Sequence, residues 1–265
     1  MNFRIVMALT QRYLYLYRRN WIRSVEMLFW PLMNLFVWGF LTVFLQRQSD
    51  MPGQKVMSFL LGAMMLWDIL FRSQQAISLS FLEDVWTKNL LNIFVAPVRL
   101  REYIAAGVML GLFRVSIIGT ILVVLGWVLY AFDLLTLELY LIPFFLNLLI
   151  FGWGLGMIST SLILRYGQAA EALAWAVPFM IQPIAAVFYP VDVLPPFLQW
   201  VALCIPCTHV FEGMREVIAT GSLEPQRLVL ACVLNVLFLA LSSAFFAGMF
   251  EQARIRGLLT KVSTQ

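Results

Sequence analysis

Between Met27 and Leu45 nineteen consecutive residues carry no charge, and long apolar runs of this kind recur to the end of the chain. Such a run can satisfy its own backbone in hydrocarbon only as a helix, and nineteen residues of helix measure about 28 Å, close to the ~30 Å core of a bilayer. Further runs occupy Val56–Ser80, Ile104–Phe132, Leu139–Leu164, Ala172–Tyr189 and Leu228–Phe250. Charged residues make up 12% of the 265 positions, whereas a soluble domain carries about a quarter. The runs are too long and too solidly apolar for the short alternating strands of a barrel. The expected fold class is therefore an all-α polytopic membrane protein with six transmembrane helices.

Basic residues supply the orientation. Arg4, Arg12, Arg18, Arg19, Arg23, Lys88, Arg99, Arg101, Arg165, Arg254, Arg256 and Lys261 fall on one side of this arrangement, and Arg47, Lys55, Arg215 and Arg227 on the other, twelve against four. Positive charge favours the cytoplasmic side, so both termini are expected there. The basic residues mark the ends of spans and form no single soluble surface, which argues against nucleic acid as a partner. Residues 1–24 alternate arginines with Phe3, Ile5, Leu9, Tyr13 and Trp21, the pattern of an amphipathic helix lying in the interface on anionic lipid. No short apolar region with a cleavage site follows, so this start does not read as a removable signal peptide.

The charged island between the second and third runs stands out. On a helical period Phe81, Leu82, Val85, Trp86, Leu90, Ile93 and Phe94 fall to one side, and Glu83, Asp84, Thr87, Lys88 and Asn92 to the other. Pro97 stops the pattern, and Arg99 and Arg101 place it inside. Two readings fit: a surface helix that receives a push from a soluble partner, and a lipid-anchored connecting loop. Asp50, Pro52 and Gly53 mark an outer turn after the first span, and Asp133 and Glu138 an outer loop after the third. Residues Pro190 to Glu224 are too interrupted by Pro190, Pro195, Pro196 and Pro206 to span, and Phe197–Ile205 and Val210–Ala219 are expected as outer re-entrant helices.

Polar groups inside the runs are candidates for a path or an internal brace. Asp68 and Arg72 share a helix face in the second span, and Arg114 lies in the third with Asp68 or Asn34 as its expected neighbour. They fit an ion pair that locks two helices, or the lining of a transport path. Gly152, Gly154 and Gly156 allow close helix contact. Most of the nine tryptophans read as belt residues, with Trp38, Trp67 and Trp153 as lining candidates. Cys204 and Cys207 have dithiol spacing and His209 is nearby, but two cysteines and one histidine leave a zinc site a ligand short, and no thioredoxin-like context surrounds them. Packing, or a bond between the two in an oxidising compartment, are the readings that remain, and no metal or catalytic site is expected. No GxxxxGK[ST] phosphate loop occurs, so ATP hydrolysis is not expected from this chain.

Two stretches carry a family resemblance. WTKNLLNIFVAPVRLREY, Trp86 to Tyr103, resembles the loop after the second span of ABC-2 type transporter permeases, with Lys88-Asn89 through Val95-Ala96-Pro97 matching its conserved run. Val177 to Val217 is similar to that family's fifth span and outer re-entrant pair, through Phe188-Tyr189, Leu194-Pro195-Pro196-Phe197, Pro206 and Arg215. Ile205-Pro206-Cys207 departs from the family's Asn-Pro-Leu or Asn-Pro-Ile turn.

The resemblance implies a single ABC-2 type transmembrane domain over residues 25–265 and a half-transporter. Two copies, or this chain and a close relative, would join two separate ATPase subunits that hold ATP and Mg, with no cofactor in this chain. A cytoplasmic coupling helix would map to Phe81–Phe94, with Phe81, Glu83, Asp84, Val85, Trp86, Lys88 and Asn89 as coupling residues. Asn34, Trp38, Asp68, Arg72, Arg114, Gln182, Phe188 and Tyr189 would line the path or the dimer interface. The expected activity is export from the cytoplasm, across the bacterial inner membrane, of an amphipathic, lipid-linked or polysaccharide-type substrate. The alternatives are an integral-membrane transferase acting on a lipid-linked substrate around Asp68, Arg72 and Arg114, and a structural membrane subunit.

Overall fold

The computed structural model describes residues 1–19, 21–48, 53–132 and 134–256. The turn residues Asp50 and Pro52, the loop residue Asp133 and the tail residue Lys261 lie outside the described residues, as do the side chains of Arg23, Lys55 and Glu138.

Ten α-helices are found among the described residues, with no strand. They are α1 Phe3–Arg19, α2 Trp21–Gln48, α3 Gly53–Trp86, α4 Leu90–Val95, α5 Leu100–Tyr130, α6 Leu141–Tyr166, α7 Glu171–Ile184, α8 Pro196–Leu203, α9 Pro206–Thr220 and α10 Pro225–Ile255. Four of them, α2 from Val25, α5, α6 and α10, are long and apolar enough to cross a membrane. Two of the six expected spans differ from that description. Helix α3 has the length but carries Asp68, Arg72, Gln74 and Gln75 in its middle, and α7 has only 14 residues. The N-terminal helix closes at Arg19, and Trp21–Ser24 open α2.

The polarity of α3 is tolerable because α3 is the centre of the bundle. It packs most heavily on α6, then on α5 and α2, and it also touches α7 and α9. From Leu60 to Val85 nearly every residue is buried, so its amides, hydroxyls and ions face protein and not lipid. Ser73, Ser78 and Ser80 return their hydroxyls to carbonyls four residues back. Gln74 Nε2 lies 3.1 Å from Ser159 Oγ on α6 and 2.9 Å from the Ala174 carbonyl on α7, joining three helices. Contact between α3 and α6 is backbone to backbone. A Cβ at Gly152 would sit 2.6 Å from the Leu70 carbonyl oxygen, and one at Gly156 would sit 2.8 Å from that of Gln74. Gly154 faces the other way, where a Cβ would meet the Phe238 ring of α10 at 2.7 Å. Small residues let helices approach in a medium that offers no hydrophobic drive between them.

Two apolar clusters fill the two ends. One gathers Val6 and Leu9 of α1, Phe81, Leu82 and Val85 of α3, Leu90 and Ile93 of α4, Tyr103 of α5, Leu164 of α6 and Phe250 of α10. Helices α3, α6 and α10 finish at this end while α5 and α7 begin there, so α1 and the close of α10 lie together. The opposite cluster includes Leu35, Leu61, Leu66, Phe144 and the α9 residues Val210, Phe211 and Met214. Its edge is the short pair α8 and α9. Arg215 on α9 donates to the carbonyls of Val187, at 3.0 Å, and Ala186, and pairs with Glu212 at 2.9 Å. Glu212 in turn accepts from Val191 N. These contacts hold the chain where it leaves α7, which ends one residue past Pro183.

Candidate functional site

The candidate site is the turn between α3 and α5, at the end of the bundle that α1 shares. The expected single helix over Phe81–Phe94 is not what forms. Helix α3 runs on through Phe81 to Trp86, a turn follows at Thr87–Asn89, and α4 is a separate piece of six residues. The apolar residues Phe81, Leu82 and Val85 are in phase with the buried face of α3, so packing extends that helix beyond the point where charge suggested a break. The turn closes in a Schellman motif. Lys88 N donates to Val85 O at 3.0 Å and Asn89 N to Asp84 O at 2.9 Å, with Lys88 left-handed at φ 53°. A residue with a Cβ is about 1–2 kcal/mol worse than glycine in that conformation.

Glu83 and Asp84 are not on a wet face: they are 8% and 1% exposed. Asp84 is an internal junction. Its Oδ1 pairs with Arg12 Nη2, and its Oδ2 accepts from Tyr13 OH at 2.7 Å and Tyr103 OH at 2.9 Å. One carboxylate thus binds α1, α3 and α5. Burial, with the charge of Asp84 as the second cause, pushes the Tyr13 phenol up, which keeps its proton in place as a donor. Glu102 adds a second tie between α1 and α5: its Oε1 accepts from Asn2 N at 2.6 Å and its Oε2 from Arg99 N at 3.0 Å.

Of the other expected coupling residues, Phe81 and Val85 are core, with the Phe81 ring edge-on to Tyr103 at 6.4 Å. Asn89 precedes α4 without capping it, and its Oδ1 accepts from Asn92 at 3.3 Å. Trp86 is 41% exposed and its Nε1 reaches Glu171 Oε2, at the start of α7, at 3.3 Å. Lys88 is exposed.

The expected path residues do not form one cluster. Trp38 on α2 stacks on Phe188 beyond α7, with centroids 4.2 Å apart, and the Tyr189 hydroxyl donates to the Pro183 carbonyl. Asn34 is exposed on α2 and Gln182 half-buried on α7. Asp68 and Arg72 pair with each other, Nε to Oδ2 at 2.7 Å and Nη2 to Oδ1 at 3.0 Å. Both lie on α3, four residues apart, so the pair braces that helix, and Arg114 is buried on α5. Asp68 also floors an apolar groove of about 380 Å³ between α5 and α6, edged by Ser116 and Thr120.

Arg12, Tyr13, Glu102, Tyr103 and Glu171 are the contributors that sequence reasoning did not single out. Asp84 lies 71 residues from Tyr13 and 19 from Tyr103, so no spacing rule links them. The presence of tyrosines at positions 13 and 103 was the available signal, because a phenol that becomes buried needs a hydrogen-bond partner. His209 is a packing residue, its Nε2 donating to the Leu203 carbonyl at 2.8 Å. Cys204 is exposed, Cys207 is buried and neither is bonded, and among the described residues no group of His, Cys, Asp and Glu could hold a metal ion.

Comparison with known proteins bears on what this end does. A family model described as ABC-2 type transporter matches residues 5–219. The inner membrane transport permease YadH of Escherichia coli K12 is 24% identical over 184 residues, covering 64% of this chain and 65% of that protein. Proteins of the same name from Escherichia coli O157:H7 and Shigella flexneri match to the same extent. The matched stretch spans just under two thirds of the length of these relatives.

Proposed function

The chain belongs to the ABC-2 type transporter family, and from that premise we propose that it is the membrane-spanning permease subunit of an ATP-driven exporter in the bacterial inner membrane. In this reading α2, α3, α5, α6, α7 and α10 are its six spans, both termini are cytoplasmic, and α1 lies in the interface. Two copies, or this chain and a close relative, join two ATPase subunits that bind ATP and Mg. The cargo is an amphipathic, lipid-linked or polysaccharide-type molecule leaving the cytoplasm.

The observation that carries the reading is the Asp84 junction. A push on the turn after α3 is passed to α1 through Arg12 and Tyr13 and to α5 through Tyr103, and Trp86 extends the connection to α7 through Glu171. Force applied at one exposed turn therefore reaches four helices. Such a push shifts a conformational equilibrium only if the partner binds the two states differently, and an ATPase whose dimer opens and closes supplies that difference. The Trp38 and Phe188 stack, which joins α2 to the chain after α7, is a candidate closure of the path. The transferase alternative is not favoured, because both oxygens of Asp68 are taken up by Arg72.

The test is transport in vesicles that contain the chain and its ATPase. Replacing Trp86→Ala is expected to lower transport several-fold while membrane insertion and thermal stability hold near wild type, since the side chain is largely outside the core. Equal loss of transport and insertion would assign Trp86 to folding and remove the coupling role.

A further inference from the structure

Helix α7 carries Pro178 near the middle of its 14 residues, whereas Pro183 comes one residue before it closes. A proline has no N–H, so the carbonyl four residues back loses its helix donor and, in hydrocarbon, must be served from elsewhere. For Pro178 that carbonyl belongs to Ala174, and both residues are buried. Gln74 of α3 supplies the donor, its Nε2 lying 2.9 Å from the Ala174 oxygen. The same nitrogen lies 3.1 Å from Ser159 Oγ on α6 and 3.1 Å from Ser78 Oγ. Each serine hydroxyl gives its own proton to a carbonyl four residues back, so the two protons of the amide face three acceptors. Gln74 Oε1 is buried with no hydrogen-bond partner among the described residues, a cost that sets the nitrogen, and not the oxygen, opposite a carbonyl that can only accept.

We infer that Gln74 is a positioning residue that stands in for the donor Pro178 lacks, and that it latches α7 to α3 reversibly, its release letting α7 bend at Pro178 during transport. The latch can open without stranding the amide. When the Ala174 carbonyl moves away, each amide proton keeps one serine, and the carbonyl alone loses its donor. The base of the latch is fixed, because Gly152 and Gly156 bring α6 against the α3 backbone at Gln74, where a Cβ would sit 3.2 Å from its N and 2.8 Å from its O. The moving part is therefore α7. Ala174 belongs to the apolar cluster that holds Phe81 and Leu82, while Val177 and Ile181 pack on the opposite cluster, so the bend falls where the two meet. Past the proline, Phe179 packs on Phe71 of α3 with centroids 5.3 Å apart, a contact without directional bonds that tolerates sliding. Force enters α7 at Glu171, which meets Trp86, and the helix leads on to Phe188, which stacks on Trp38. The part played in transport rests on the export reading, whereas the latch itself does not.

The test uses the full chain in nanodiscs, with Cys204→Ser and Cys232→Ser and with spin labels at Met180→Cys on α7 and Val233→Cys on α10, both exposed positions. Dilution with unlabelled chain confines the measured distances to one copy. Gln74→Leu is expected to raise the population of the bent form about fivefold, the weight of one ordinary hydrogen bond, and to lower the melting temperature. Pro178→Ala restores the missing N–H and is expected to empty the bent form. Gln74→Leu combined with Pro178→Ala gives the Ala174 carbonyl a donor again, and is expected to recover the melting temperature while staying unbent. Lower melting in Gln74→Leu with wild-type distances makes Gln74 a plain brace and overturns the inference. So does a double variant as unstable as Gln74→Leu alone, since the Ala174 carbonyl would then not be what Gln74 serves. A cognate ATP-binding-cassette subunit with AMP-PNP is expected to shift the wild-type distances in the direction of Gln74→Leu. A wild-type chain unmoved by nucleotide, in which Gln74→Leu still bends α7, would keep the latch and remove the export reading beneath its use.

Discussion

Asp84 shows how far a side chain's role can lie from its apparent one. In sequence it is one of two adjacent acids on the polar side of a short amphipathic pattern, and in the fold it is the acceptor on which Arg12, Tyr13 and Tyr103 converge. Three donors on one buried carboxylate satisfy it, whereas a lone ion there would be strongly unfavourable. Removing it strands its partners: Asp84→Ala leaves two phenolic donors without an acceptor, at about 1–3 kcal/mol each. Asp84→Asn keeps an acceptor but loses the charge, so it is expected to be milder in stability and still defective in transport, because Arg12 no longer holds α1 to α3. Thermal unfolding in detergent alongside vesicle transport separates the two effects. If Asp84→Asn transported at the wild-type rate, the junction would be a packing feature without a part in coupling.

Helix α3 is the element on which most other assignments depend. Its apolar phase continues through Phe81, Leu82 and Val85, and this is why an expected surface helix became the last two turns of a central one. The acidic residues that suggested a boundary are buried, Asp84 by partners on α1 and α5. Its contact with α6 is the most exacting in the bundle, since Gly152 and Gly156 meet carbonyl oxygens of α3. Gly152→Val is expected to force the helices apart and destabilise the protein by about 1–3 kcal/mol or more, read as a lower melting temperature and poor yield. Gly119→Val is the control, because a Cβ there meets no heavy atom within 4 Å, and it is expected to melt near wild type. Similar melting of the two variants would place the α3–α6 contact elsewhere.

For the molecule as a whole, the two apolar clusters define two ends, and α1, the α3–α5 turn and the close of α10 share one of them. The export reading puts that end in the cytoplasm. A maleimide that does not cross membranes is expected to label Lys88→Cys, in a background with Cys204 and Cys232 replaced by serine, from inside-out vesicles and not from intact cells. Labelling from intact cells alone would invert the topology and disconnect the turn from any cytoplasmic ATPase. The four long apolar helices α2, α5, α6 and α10, the two short helices α8 and α9 between prolines, the close glycines of α6 and the uneven distribution of arginine and lysine were all legible without coordinates. Each follows from solvent and local geometry: a bilayer demands long satisfied helices, proline ends them, and small residues let them touch. Folding in three dimensions settled which faces α3 buries, where Asp84 finds its donors, that Asp68 pairs with Arg72, and which charges at the turn remain outside. Those outcomes depend on pairs far apart along the chain, and a period of 3.6 residues carries no information about what lies across from a helix.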